Sequence, residues 1–336
     1  MIRGMHLIPR WLKPVLPPAA SLRLMPDSLI CPVYHTTWQQ APPWWNNRYR
    51  VRSLPELQAD LECLLRLAPP VSLQDLLDWQ QGRRGRPRGW FLSFDDGYQQ
   101  MASEIAPLLK KMGIPATFFL CSSLIDNRAV FFEDLAGLIS LRLQSLSPDL
   151  KAAGEQICAA AGTTLETALQ ARVADFAVLN QLADLVDLDV NDWLLTTQPY
   201  LTSSHVRQLM ADGFSIGAHS VDHPLFCQIE PEAAIQQTLV SLDWLVNQFA
   251  LPYRVFAFPY GEFRLSRVLL QRLQSAANVH IMFGTRGIIR DELEPLLMQR
   301  MLAEEPTGNI RHCLTEQLNL QLQRRWSGRD LVKRTG

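Results

Sequence analysis

The chain has no long apolar run, no closely paired cysteines and no excess of charge of one sign, and each absence removes a class of protein. No stretch approaches the roughly 18 apolar residues that a membrane-spanning helix needs. The N-terminal MIRGMHLIPRWLKPVLPPAAS is broken by Lys13 and four prolines before a cleavable signal core can form, so no export signal is expected. The six cysteines, Cys31, Cys63, Cys121, Cys158, Cys227 and Cys313, contain no C-x-x-C pair and read as buried thiols. Lys plus Arg number 32 against 33 Asp plus Glu, and a net charge of -1 argues against a body built to grip nucleic acid. Only the ends depart from this balance. Arg3, Arg10, Lys13 and Arg23 precede the first acid at Asp27, and Arg324, Arg325, Arg329, Lys333 and Arg334 crowd the other end. Such tips are solvated tails or contacts to an anionic membrane surface. The expectation is a cytoplasmic protein, with peripheral association at the inner membrane surface through its basic termini as the alternative.

What the chain does have is a regular alternation. Its 336 residues suffice for one α/β barrel or two ordinary domains. Apolar runs of strand length recur near 29–35, 89–95, 116–121, 214–219, 254–259, 280–285 and 296–302, separated by segments of helical period. This is the pattern of β/α units around a mostly parallel sheet or barrel. Ser53-Leu-Pro-Glu56 has the cap, early proline and Glu of a helix start before Leu57, Leu61, Leu64 and Leu65. The runs after Pro107 and Thr202 end at Gly113 and Gly213, each placed as a left-handed C-terminal residue. Ile235, Leu239, Leu242 and Val246 mark a helix with one buried face. The interval 127–200 is rich in Ala, Leu, Gln and Asp, holds no strand-like run, and is too long for an ordinary connection. It is expected to be a helical insertion, either a spacer packed on the barrel or a lid or groove wall. The expected layout is a basic N-terminal extension at 1–28, a barrel at 29–305 interrupted by that insertion, and a C-terminal tail at 306–336.

The polar residues fall at the ends of the predicted strands: Tyr34-His35, Asp95-Asp96-Gly97, His219 to His223, Pro259-Tyr260-Gly261, and Gly284 to Gly287. In parallel barrels the carboxyl ends of the strands share one mouth, so these residues would converge there. Asp95-Asp96-Gly97 alone is also what a turn looks like. His219 and His223, four apart, can point the same way on a helical turn or tight loop, although two surface histidines would have the same spacing. A carboxylate from a neighbouring strand end changes the weighing. Asp plus two His is a three-ligand set with room for water, the catalytic rather than the structural arrangement of a zinc-type site.

With these residues in view the chain resembles the NodB-type polysaccharide deacetylases of carbohydrate esterase family 4. Phe94-Asp95-Asp96-Gly97 resembles the first motif and His219-Ser220-Val221-Asp222-His223 the second. Ala257-Phe258-Pro259-Tyr260-Gly261 looks like the third, with Ala257 in place of the usual leading Arg. The resemblance spans roughly residues 29–305. It implies a distorted (β/α)7 barrel, a divalent metal held by Asp96, His219 and His223, and Asp95 as general base. Zinc is the first expectation for that metal, with Co, Ni, Fe or Mn fitting the same ligands. The backbone N–H of Tyr260 would face the oxyanion, with Pro259 and Gly261 beside it as substrate-binding residues and Gly261 permitting close approach.

Two departures from the pattern matter. Nothing near 296–306 offers the late histidine that supplies a proton in many members. His35, at the end of an early strand, takes that role if the ring of strands is circularly permuted. His280 begins a strand and His312 lies in the expected tail, so neither is assigned to catalysis. The missing Arg leaves Arg300 or Arg286 to orient Asp95, with Arg300 also counted among substrate-binding residues or read as an ordinary surface charge. No D-x-x-D-W motif is found. Trp44 and Trp45, followed by Asn46-Asn47, lie after His35 and either face a sugar or pack the loop. Cys227 is a soft ligand or, more simply, a buried thiol.

The resemblance implies a hydrolase of linear amides that removes acetate from an N-acetylated sugar in a glycan or glycan precursor. The alternatives are a small-molecule or formyl amidase on the same site and a catalytically silent carbohydrate-binding scaffold.

Overall fold

The computed structural model describes residues 15–45, 50–145, 147–170, 175–304 and 308–334. Its strands are β1 (Leu29–Ile30), β2 (Pro32–Tyr34), β3 (Pro70–Val71), β4 (Gly89–Phe94), β5 (Ala116–Leu120), β6 (Ser215–Ala218), β7 (Val255–Ala257), β8 (Ile281–Gly284), β9 (Arg290–Asp291), β10 (Leu297–Gln299), β11 (Met301–Leu302) and β12 (Leu331–Val332). All seven expected strand regions are present. Eight of these strands pair in the order β10-β8-β7-β6-β5-β4-β2-β11, all in parallel.

The two outermost strands of that order, β10 and β11, are halves of one segment. Residues 297–299 pair with β8 and residues 301–302 pair with β2, Met301 N–H donating to Cys31 O at 2.8 Å. The segment 297–302 is therefore the stave that nearly closes the ring, as a (β/α) barrel requires. Along each strand the side chains alternate. Phe91, Phe119 and Phe283 point to the barrel axis, where Phe283 stacks on Phe91 with centroids 5.2 Å apart and meets Phe119 at a tilt, 5.1 Å away. Trp90, Leu92, Phe118, Leu120 and Met282 face the surrounding helices.

Those helices follow the local signals. Helix α2 (Leu54–Leu67) starts with Ser53 N–H donating to Glu56 Oε2 at 2.9 Å, which satisfies an otherwise orphaned donor. Gly113 and Gly213 take φ of 67° and 90° at the ends of α4 (Ala106–Met112) and α10 (Ser203–Ala211). Helix α11 (Pro231–Phe249) buries Ile235 and Leu242 and packs Leu239 and Val246 against the same core. The other barrel helices are α1 (Pro18–Leu24), α3 (Leu73–Gln80) and α12 (Arg267–Ala277).

The insertion is helical throughout its described length, with α5 (Phe132–Gln144), α6 (Pro148–Ala160), α7 (Leu165–Leu169), α8 (Phe176–Leu185) and α9 (Val190–Thr197) forming a second apolar core. It is fastened to the barrel by Asp134, a fully buried carboxylate that accepts hydrogen bonds from Tyr200 Oη at 2.6 Å and Tyr98 Oη at 3.1 Å.

Two expectations are corrected. Residues 306–336 are not simply a tail, because α13 (Ile310–Trp326) places Ile310, Leu314, Leu318 and Leu322 in the main core. These apolar residues recur every four positions, a helical stripe hidden in the sequence by the intervening Gln and Arg. Nor are all the C-terminal charges a free basic tip. Arg325 pairs with Asp27 at 3.1 Å and Arg334 is buried between Glu262 and Asp291, so membrane association through this end is not supported. Arg3, Arg10 and Lys13 lie outside the described residues. Among the described residues no helix is long and apolar enough to cross a membrane.

Candidate active site

Asp95 continues β4, its N–H donating to Tyr34 O at 3.0 Å. In a regular strand the next side chain would point to the opposite face. Asp96 instead takes φ 81°, and this left-handed turn brings both carboxylates to the same mouth. His219 Nε2 lies 3.8 Å from Asp95 Oδ2 and 3.5 Å from Asp96 Oδ1.

The pair His219 and His223 is set by a tight loop, not a helix. Ser220 and His223 adopt φ of 70° and 64°, and His223 N–H donates to Ser220 Oγ at 2.9 Å. The loop folds so that the two rings stand 4.9 Å apart. His219 Nδ1 donates to Ala257 O at 2.8 Å, which fixes the tautomer and leaves the Nε2 lone pair facing the carboxylates. Burial lowers the pKa of His219 to about 4 despite the attraction of Asp95, so at neutral pH this ring is an uncharged donor. His223 Nε2 is 3.3 Å from Asp96 Oδ1. Asp96 Oδ1 and His223 Nδ1 are buried without a hydrogen-bond partner among the described residues. Burial pushes the Asp96 carboxyl up, but the imidazoles of His223, His35 and His219 more than offset it and hold the group well below the usual carboxylate range. One ligand atom each from Asp96, His219 and His223 lies within 4.8 Å of the other two. Three converging lone pairs, one of them on a carboxylate with an unsatisfied buried oxygen, fit a single divalent cation.

Asp95 is held differently. Arg300 Nη1 and Nη2 reach its two oxygens at 2.7 Å each, and Nη1 also donates to Ser93 Oγ at 3.1 Å. The guanidinium is fully buried inside the barrel, 5.3 Å above the Phe119 ring. Burial would raise the Asp95 pKa, yet Arg300 and His219 bring it below the ordinary value, so the carboxylate is ionised. Of the two arginines considered, Arg300 is the one that reaches Asp95, whereas Arg286 bonds Glu262 at 2.7 Å. Arg300 is therefore neither a surface charge nor a substrate contact, since it lies beneath Asp95 with no exposed surface.

His35 follows β2 and Glu304 follows β11. The parallel pairing of Leu302 with Val33 carries both residues to the mouth together. His35 Nδ1 meets Glu304 Oε2 at 2.5 Å. Burial alone would lower the His35 pKa, but Glu304, with Asp96 and Asp95 beyond it, lifts it to about 9. The ring is an imidazolium at neutral pH. His280 and His312 do not reach the mouth: His280 Nδ1 accepts from Arg254 N–H at 3.1 Å, and His312 faces solvent on α13.

The Pro259-Tyr260-Gly261 turn completes the site. Tyr260 has φ 57° and Gly261 φ 119°, with Gly261 N–H donating to Pro259 O at 2.6 Å. A Cβ at Gly261 would stand 2.2 Å from Thr285 Oγ1, the hydroxyl that donates to Tyr260 O. Gly261→Ala is accordingly expected to force the loop to shift, lowering stability by about 1–3 kcal/mol and turnover by more than tenfold. Thermal unfolding and steady-state kinetics measure the two effects. The insertion reaches the same place, with the Phe131 ring edge-on to His223 at 4.8 Å and Glu133 hydrogen-bonded to Tyr260 Oη.

The tryptophans separate. Trp45 is buried, with Trp38 and Tyr98 edge-on at 4.6 and 5.5 Å and in one apolar cluster with Phe132 and Leu135 of the insertion, so its ring packs the loop down and cannot face a sugar. Trp44 is half-buried against Trp193 of α9 at 5.5 Å. Asn46 and Asn47 lie outside the described residues. Cys227 is half-buried and packs against the main core, and it is outside the three-residue cluster. Glu304, Glu262 and Glu133 were not singled out from the sequence, although the pairing of 301–302 with 32–33 would have placed position 304 beside His35.

Comparison with known proteins agrees with the fold. The polysaccharide deacetylase family model matches residues 82–278. None of the curated proteins searched matches the chain. Among solved structures, IcaB from Ammonifex degensii aligns with 17% identity and a TM-score of 0.56, covering 87% of this chain and 97% of its own. The deacetylase PplD of Streptococcus pyogenes, solved in complex with acetate, aligns with 15% identity and a TM-score of 0.55, covering 87% of this chain and 98% of its own. A de-N-acetylase from Aggregatibacter actinomycetemcomitans aligns with 18% identity and a TM-score of 0.51, covering 86% and 98%. At these identities the likeness is one of fold.

Proposed function

The chain belongs to the polysaccharide deacetylase family and is a hydrolytic enzyme, and from that premise we propose that it removes acetate from an N-acetylated sugar of a glycan or glycan precursor, with one divalent metal ion at Asp96, His219 and His223. The observation that carries this reading is the pairing of a converging three-residue ligand set with a separately held carboxylate. Asp96, His219 and His223 converge, with the buried Oδ1 of Asp96 unsatisfied, while Asp95, one residue away, is committed to Arg300. A carbohydrate-binding scaffold has no use for that division of labour.

A metal at this cluster would polarise the amide carbonyl and acidify water, zinc being the first candidate. The remaining chemistry belongs to the chain. Asp95, kept ionised and oriented by the Arg300 fork, takes the proton from the attacking water. The Tyr260 N–H, on a turn that Gly261 and Thr285 define, donates to the oxyanion. His35, kept protonated by Glu304, gives its proton to the sugar nitrogen as the C–N bond breaks, so that an amine and acetate depart. PplD has been solved with acetate, which is the product this reading requires.

The test is acetate release from N-acetylhexosamine oligomers and from lipid- or nucleotide-linked precursors, using enzyme stripped by chelation and reloaded with Zn, Co, Ni, Fe or Mn. One equivalent of metal is expected to restore at least 90% of activity, and His219→Ala to abolish both binding and turnover. Release that survives chelation would refute the metal site; release only from formylated or small-molecule amides would replace the acetylated glycan as substrate.

A further inference from the structure

We propose that Arg334 is a positioning residue for the reaction, clamping the turn that carries the Tyr260 N–H through the buried carboxylate of Glu262. The inference rests on the deacetylase reading only for the consequence in turnover; the clamp itself is a matter of packing.

Glu262 follows the Pro259-Tyr260-Gly261 turn directly and is fully buried. One of its oxygens, Oε1, accepts from Arg334 Nη2 at 2.6 Å, Arg286 Nε at 2.7 Å and Gln299 Nε2 at 3.0 Å. The other, Oε2, accepts from Thr285 N–H at 3.2 Å. The same Thr285 donates its hydroxyl to Tyr260 O. The carboxylate fills space that only a glycine at 284 leaves open, because a Cβ there would lie 1.8 Å from Oε2. The loop is thus tied at both ends, at Tyr260 O through Thr285 and at Glu262 through two guanidinium groups.

Of those two groups Arg334 is the interior one. Its side chain is 2% exposed against 30% for Arg286. It is itself held by Asp291, with Nε at 3.1 Å, and Nη1 reaches Glu262 O at 3.3 Å. The short parallel pair β9–β12 delivers it there, with Leu331 and Val332 in register with Arg290 and Asp291 and Glu292 N–H donating to Val332 O at 3.1 Å. A backbone donor useful in catalysis must be held where charge develops, and its cost of reorganisation must be met before the reaction. Tyr260, a residue with a side chain, sits at φ 57°, a left-handed conformation that persists where surroundings over-determine it. Arg334 and Glu262 supply that constraint from outside the motif.

The test compares wild type with Arg334→Ala, Arg334→Lys, Glu262→Gln and the exposed control Arg325→Ala, all metal-loaded and full length. Three quantities are measured: kcat and KM for acetate release from an N-acetylglucosamine pentamer, bound metal per chain, and amide hydrogen exchange in the peptides covering 258–264 and 219–223. Arg334→Ala and Glu262→Gln are expected to lower kcat tenfold or more with KM within twofold and one metal retained. Exchange should rise in 258–264 but not in 219–223. Arg334→Lys should recover part of kcat, because an ammonium restores the charge without the fork. Arg325→Ala should match wild type. If Arg334→Ala does not fold, Glu262→Gln, which keeps shape and removes charge, decides the matter. Unchanged kcat and unchanged exchange in 258–264, or a fall in kcat matched by loss of metal and rising exchange everywhere, would overturn the clamp. If wild type releases no acetate from the pentamer, exchange confined to 258–264 still establishes the clamp and the failure falls on the substrate reading alone.

Discussion

Asp95→Asn is expected to lower kcat for acetate release by about a thousandfold, the range associated with removing a positioned general base, while metal content stays at one per chain. The separation follows from geometry. The ligand set is Asp96, His219 and His223, whereas both Asp95 oxygens are engaged by Arg300 at 2.7 Å. An amide at 95 keeps the shape but leaves the buried Arg300 guanidinium without its counter-charge, and breaking a buried pair in this way costs about 3–5 kcal/mol. A fall in activity could therefore be blamed on a damaged fold. The double variant Asp95→Asn with Arg300→Met distinguishes the two, because it removes the stranded charge. Its melting temperature should recover most of the loss while kcat stays at the level of Asp95→Asn. Activity that returned with stability would show that Asp95 acts only as a partner for Arg300. The pH dependence of stability carries the same sign. With its pKa depressed in the fold, Asp95 stabilises above its unfolded value and that contribution disappears as pH falls through the folded value. Asp95→Asn should flatten the acid side of the stability curve.

Residues whose roles are local were legible in the sequence. Asp95-Asp96-Gly97 and His219 to His223 mark strand ends because apolar runs stop there, and the structure places each at the mouth. A mostly parallel sheet or barrel was legible too, in seven strand-length runs, while its closure into a ring was only what the family resemblance implied. What was hidden depends on pairing between distant segments. Arg300 was one of two arginines offered for Asp95, and only the segment of β10 and β11, which buries its side chain in the barrel, separates it from Arg286. Glu304 lay in an unremarkable Ala-Glu-Glu-Pro stretch, and only the register of Leu302 with Val33 makes it the partner of His35. Arg334 was counted as tail charge because its partners, Glu262 and Asp291, are 72 and 43 residues away. Trp45 shows the opposite failure. Two tryptophans near the mouth left a sugar platform and a packed loop both open, and Trp38 and Tyr98, which no local pattern announces, claim the ring of Trp45 for the second.

His35 offers the other large effect, and Glu304 sets its pH range. His35→Gln is expected to lower kcat by about a hundredfold, since an amide cannot deliver the proton that the leaving amine needs. Glu304→Gln keeps the imidazole and removes the carboxylate that does most to hold it charged. In the wild type burial favours the neutral ring, and Glu304, Asp96 and Asp95 reverse that preference, raising the pKa from 6.5 to about 9. Without Glu304, burial gains the upper hand and the alkaline limb of the kcat profile should move down by at least about one pH unit. A bound cation would lower the pKa in both proteins, so the comparison rests on the difference between them. Stability follows the same sign. A raised folded pKa means that the ion pair contributes fully below 6.5 and is lost as pH rises through about 9. Glu304→Gln should be less stable than wild type at pH 6, and the gap should close by pH 10. An alkaline limb that stays in place in Glu304→Gln, with His35→Gln close to wild-type kcat, would assign the proton donor to another group. A limb that moves while KM and metal content hold would tie the leaving-group proton to the contact of His35 with Glu304, where the first and last staves of the barrel meet.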